Sequence, residues 1–188
     1  MQTLFVALPS FYMWYNAVFD APDQGTQFGS QVEIASRLLP YKLATEQPAE
    51  ITKTLLSIDG SVAGNLVAGG VVRSVDPSLT GLNPSWRKAI GQFTVGVGWP
   101  EGASGSEILR QRSILKQNTD VLDKIMTDSG SYLNEGSLYE RDFRKAYFGS
   151  HYSKLRSIKR RYDAGSLFVV PSGVGSDEWD IDSQCRRQ

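Results

Sequence analysis

The chain contains a single histidine, His151, and a single cysteine, Cys185. Two such side chains cannot build a His/Cys zinc centre, and a Ser-His-Asp relay would have to run through His151 alone. The strings GSVAG and GASGS do not place serine at the centre of an elbow. The GVG pairs at Gly96 and Gly173 lack the following glycine that a phosphate cradle needs. No acidic run resembles a calcium loop. What remains is proton chemistry and the recognition of flat rings. Gln92 and Thr94 alternate with Phe93, Val95 and Val97, giving a greasy face and a small, polar one. A small polar face over a sheet leaves room for a flat ligand, which Gln92 and Thr94 could orient, or simply meets solvent. Phe11, Tyr12, Trp14, Tyr15 and Phe19 cover too much of one helix to be a single core stripe. They form core plus a domain contact, or else the wall of an apolar pocket. Tyr12, Trp14, Tyr15 and Trp99 are the aromatic candidates for that wall.

The elements that would position these groups can be traced along the chain. A short strand is expected near Thr3–Leu8 and a helix from Ser10, a plausible N-cap, to Phe19. Ala21–Ser30 reads as a loop and Gln31–Leu39 is ambiguous. A helix begins at Pro48, carries Ile51, Leu55 and Ile58, and stops at Gly60. Asn65–Arg73 reads as a glycine-containing strand and Ile90–Trp99 as the clearest strand. Glu107–Met126 is the longest helix, with Ile108, Leu115 and Leu122 at seven-residue spacing. Ser131–Glu135 reads as a short strand, Arg141–Tyr147 as a helical turn and Ser150–Tyr162 as a helix. Helices over a largely antiparallel sheet make the fold α+β. With no repeat or linker, residues 1–188 are expected to form one domain.

Lys plus Arg and Asp plus Glu each number 20 in 188 residues, so the net charge is zero, against a nucleic-acid binder. The basic run Lys154, Arg156, Lys159, Arg160 and Arg161 reads as a solvated helix face. Hydrophobic residues make up 40%, too many for a disordered chain. No stretch reaches the roughly 20 apolar residues of a membrane span. The first residues lack a basic n-region, and Pro9 interrupts LFVAL, so they read as mature protein. The one cysteine makes a reducing, cytoplasmic compartment the default.

Tyr132 to Trp179 carries a more specific pattern: Tyr132, Asn134, Glu135, Gly149, Tyr152, Lys159, Tyr162, Asp163, Leu167, Phe168 and Gly173 to Ser176. This segment resembles the C-terminal signature of berberine-bridge-like FAD-linked oxidases, with Ala164 in place of the usual proline and His151 in place of an asparagine. SRLLP (Ser36–Pro40) and NPSWR (Asn83–Arg87) resemble the substrate domain of fungal members. The resemblance implies that domain's fold without the FAD domain, and neither His151 nor Cys185 matches a flavin attachment motif. No cofactor and no metal are therefore expected. It extends to small stand-alone fungal proteins that rearrange quinolone epoxides. The expectation is a flavin-independent isomerase acting on an aromatic alkaloid epoxide. The alternative is a non-catalytic remnant or binding subunit of an oxidase.

Opening an epoxide needs a proton for its oxygen, aromatic faces for the developing cation and exclusion of water. The resemblance puts Glu135 near the catalytic position, as the acid, with Tyr132 beside the substrate. Glu135 read as a structural carboxylate, bonded to the following loop, stays open. An enclosed aromatic pocket around Glu135 would support the isomerase. A bare apolar face would support the remnant, and it motivates an expected homodimer.

Overall fold

The computed structural model describes residues 7–18, 31–180 and 183–187. The expected strand near Thr3–Leu8 and loop at Ala21–Ser30 therefore lie largely or wholly outside the described residues. Helix α1 (Phe11–Val18) follows Ser10, whose Oγ accepts the amide of Met13 at 3.2 Å as an N-cap should. Three antiparallel strands follow, in spatial order β1-β3-β2: β1 (Gln31–Pro40), β2 (Ser61–Leu66) and β3 (Ala89–Trp99). Between β1 and β2 lie α2 (Tyr41–Glu46) and α3 (Pro48–Leu56). The short α4 (Gly70–Ser74) and a 3-10 turn at Pro84–Arg87 lead into β3.

The register decides what each face carries. Ala35 pairs with Val95, Glu33 with Val97 and Arg37 with Phe93, and these side chains share one face. The long helix α5 (Gly105–Ile125) lies on that face, and Leu115, Leu122 and Met126 pack on Ala35, Leu39, Val95 and Val97 with Ile51 of α3. Its start is fixed by Ser104, whose Oγ accepts the amide of Glu107. Asn118, buried mid-helix, accepts from the Asp59 amide and donates to the Asp59 carbonyl, tying the loop before β2 to α5. Arg37 also belongs to this side. Its buried guanidinium pairs with Asp123 and Glu140, which more than offset the desolvation that alone would lower its pKa.

The opposite face is made by Ile34, Ser36 and Leu38 of β1, Gln92, Thr94, Gly96 and Gly98 of β3, and Ser61, Ala63 and Asn65 of β2. The segment after α5 meets this side of the sheet at the edge strand β1. The Gly130 carbonyl accepts the amide of Leu38, Ser131 Oγ meets Ser36 Oγ at 2.8 Å, and the Tyr132 amide donates to Ser36 Oγ. A π-helical turn at Arg144–Phe148 and α6 (Tyr152–Tyr162) precede the final segment, where Tyr152 donates to Asp177.

The α+β reading holds. Two strand assignments do not. Asn65–Arg73 was expected as one strand, but β2 ends at Leu66 and Gly70–Ser74 is helical. Ser131–Glu135 was expected as a strand, and Leu133–Glu135 is a 3-10 turn instead. Gly136 follows the turn, and a Cβ there would lie 2.6 Å from the Tyr147 ring, a close approach that glycine permits.

Candidate functional site

Glu135 reaches from its 3-10 turn onto the polar face of the sheet. Its Oε2 accepts two hydrogen bonds, from Gln92 Nε2 at 2.6 Å and from Thr94 Oγ1 at 2.7 Å. Gln92 Nε2 also donates to Thr94 Oγ1 at 3.1 Å. Three side chains from two distant parts of the chain thus close one small network. Glu135 Oε1 makes no hydrogen bond among the described residues, so one carboxylate oxygen is fixed and the other is left for a proton or a ligand. Beside it, Tyr132 stands edge-on to Trp86, ring centroids 5.8 Å apart, and the Tyr132 hydroxyl accepts from Asn134 Nδ2.

The residues expected at the site divide three ways. Glu135 and Thr94 meet on the sheet face, and the Tyr132 amide is bonded to Ser36 Oγ of the same face. Gln92 gathers there too, but it is only 3% exposed and spends its amide hydrogens on Glu135 and Thr94, so it supports the carboxylate and does not touch a ligand. Trp99 lies on the wrong side: it has the parity of Phe93, Val95 and Val97, packs on the core and meets Arg112 at 5.9 Å. Tyr12, Trp14 and Tyr15 ride on α1, with Tyr12 71% and Trp14 40% exposed, and line none of the five cavities described below. Trp86 is the aromatic residue that sequence reasoning missed. It sits within NPSWR, a turn with no periodic signal.

Glu135 is half-buried. Five cavities formed by the described residues leave out Glu135, Gln92 and Thr94. One of them, of about 420 Å³, lies on the other side of the sheet between α5 and β1, lined by Leu109, Arg112, Leu115 and Tyr139. Among the described residues no three His, Cys, Asp or Glu side chains gather to hold a metal ion. No described helix is long and apolar enough to cross a membrane.

Comparison with known proteins meets this geometry at the same segment. The family model described as "Berberine and berberine like" matches residues 131–175, the stretch that carries Ser131, Tyr132 and Glu135. The chain carries a partial berberine-bridge-like domain. The similarity extends beyond the matched segment. An uncharacterized FAD-linked oxidoreductase of Arthroderma benhamiae is 33% identical over 160 residues, 81% of this chain and 27% of that protein. The flavin-dependent oxygenase ucdF of Aspergillus ustus is 38% identical over 132 residues, 70% of this chain and 23% of that protein. The crystal structure of the VAO-type flavoprotein MtVAO713 from Myceliophthora thermophila superposes with a TM-score of 0.75 at 25% identity, covering 85% of this chain and 30% of that one. The berberine-like chain thus spans under a third of the length of these relatives.

Proposed function

We propose that the face around Glu135 is one wall of a small-molecule site in an FAD-linked oxidoreductase, where Glu135 accepts the proton of the substrate being oxidised. The observation that carries this reading is the half-used carboxylate: Oε2 is tied to Gln92 and Thr94, and Oε1 has no partner among the described residues, on a face whose next positions are Gly96 and Gly98. The named activities of the relatives supply the flavin. The residues present fit its ring, because Gly96 and Gly98 keep the face low although a Cβ at either would meet nothing closer than 3.4 Å. No glycine-rich phosphate loop accompanies them, so this chain would meet the ring alone. A bound flavin supplies a two-electron acceptor. The chain's own part is to lay the substrate on the low face, border it with Tyr132, and take its O–H or N–H proton on Glu135 Oε1.

The Trp86–Tyr132 pair favours a second reading: flavin-independent, acid-catalysed rearrangement of a quinolone-type epoxide. Protonated Glu135 would give its proton to the epoxide oxygen and the C–O bond would open to a cation facing aromatic rings. Return of a proton to Glu135 would leave an isomer of unchanged mass. That chemistry must exclude water, and the similar proteins are named as FAD-linked or flavin-dependent enzymes, so the oxidoreductase reading stands first.

One experiment separates them. The purified protein is titrated with lumiflavin, a flavin ring without phosphates, and separately incubated with an aryl quinolone epoxide without flavin. The first reading expects lumiflavin to bind, Glu135→Gln to weaken that binding, and the epoxide to be recovered unchanged. Conversion to an isomer, lost in Glu135→Gln, replaces it with the second. An inert protein that binds no ring contradicts both.

A further inference from the structure

We infer that Gln92 is a positioning residue, retained at a cost in stability so that Glu135 keeps one orientation; this rests on the proton-transfer reading of Glu135 above. Gln92 lies on the central strand between Leu38 and Asn65, sealed from solvent. Its Nε2 serves Glu135 and Thr94, but its Oε1 is buried and accepts no hydrogen bond among the described residues. Turning the amide over does not help. Oε1 would then face Glu135 Oε2, acceptor against acceptor, at the 2.6 Å now spanned by a hydrogen bond, and the amide hydrogens would be buried without a partner. The orphaned oxygen is therefore built in by the carboxylate that the amide serves.

A buried acceptor without a partner is uncommon in folded proteins and calls for a reason. An apolar side chain of similar size would fill the same space on a central strand and leave nothing unsatisfied. The reason on the page is the geometry of Glu135. Gln92 and Thr94 converge on the same oxygen, and that convergence decides which oxygen remains for a ligand. Gln92 touches no ligand itself and acts through Glu135.

The test needs no ligand. The full chain carrying Gln92→Met is followed by thermal unfolding and by the carboxyl carbon resonance of Glu135. Tm is expected to rise by roughly 2–6 °C as the orphaned oxygen is removed, while the Glu135 resonance moves as its donor is lost. Thr94→Val, which removes the second donor and keeps the branched shape, is expected to move the same resonance. A lower Tm in Gln92→Met, failure to fold included, overturns the inference, and so does an unmoved Glu135 resonance. Failure of the proton-transfer reading shows separately, as Glu135→Gln leaving lumiflavin binding unchanged.

Discussion

The two faces of the sheet are written by the same strand, β3, and they obey different physics. On the helix side, Val95 and Val97 lie under Leu115, Leu122 and Met126, and the face is held by apolar burial. On the other side, Gln92, Thr94 and Glu135 are held by hydrogen bonds, and Gly96 and Gly98 contribute space. Alternation along one strand thus separates an apolar face that stabilises from a polar face on which the proposed chemistry would take place. The separation predicts that damage on one side should leave the other side's property largely intact.

The largest effects should come from the helix side. Arg37→Met leaves Glu140 buried without its partner and should cost about 3–5 kcal/mol, read by chemical denaturation. Leu122→Ala opens a cavity under the sheet and should cost about 2–5 kcal/mol. Both variants, while folded, should bind lumiflavin like the parent. A selective loss of binding in either would blur the distinction between the faces.

A pH effect sharpens it from outside the sheet. Burial, then the hydrogen bond to Asp177, pushes the Tyr152 phenol up to about 12 from an ordinary value of 10.0. The fold therefore favours the neutral phenol. Its contribution is fully present below pH 10 and is lost as pH rises towards about 12. Stability should fall in that window, and Tyr152→Phe should flatten the fall. An unchanged profile would mean that another group sets it.

The smallest effects are a matched pair on β3 itself. Trp99→Phe should cost under about 1.5 kcal/mol and leave ring binding unchanged. Thr94→Val should alter stability little and weaken lumiflavin binding several-fold, by fluorescence titration. Reversal of that pattern would break the assignment of faces.

How much of this could be read from the chain follows from the same contrast. The strand Ile90–Trp99 was legible because its helix-side residues are uniformly apolar, and the parity that excludes Trp99 from the site was already present in that pattern. β1 was ambiguous because Ser36 and Arg37 are both buried, each satisfied by partners far away in sequence. β2 was misplaced because SVAGNL carries little strand signal and forms by pairing with β3. Glu135 was reached through resemblance, but its turn depends on Ser36 and Tyr147, which sequence spacing does not bring together. The burial of Gln92 was invisible for a similar reason: alternation gives a residue's face and not what later covers it.

The most direct test of the account is to map lumiflavin binding by backbone amide NMR of the full chain. Perturbations centred on Thr94, Gly96, Gly98 and Glu135, and lost in Glu135→Gln, are the predicted result. Perturbations confined to Leu109, Arg112 and Tyr139 on the helix side would contradict the claim that the polar face of the sheet carries the chemistry.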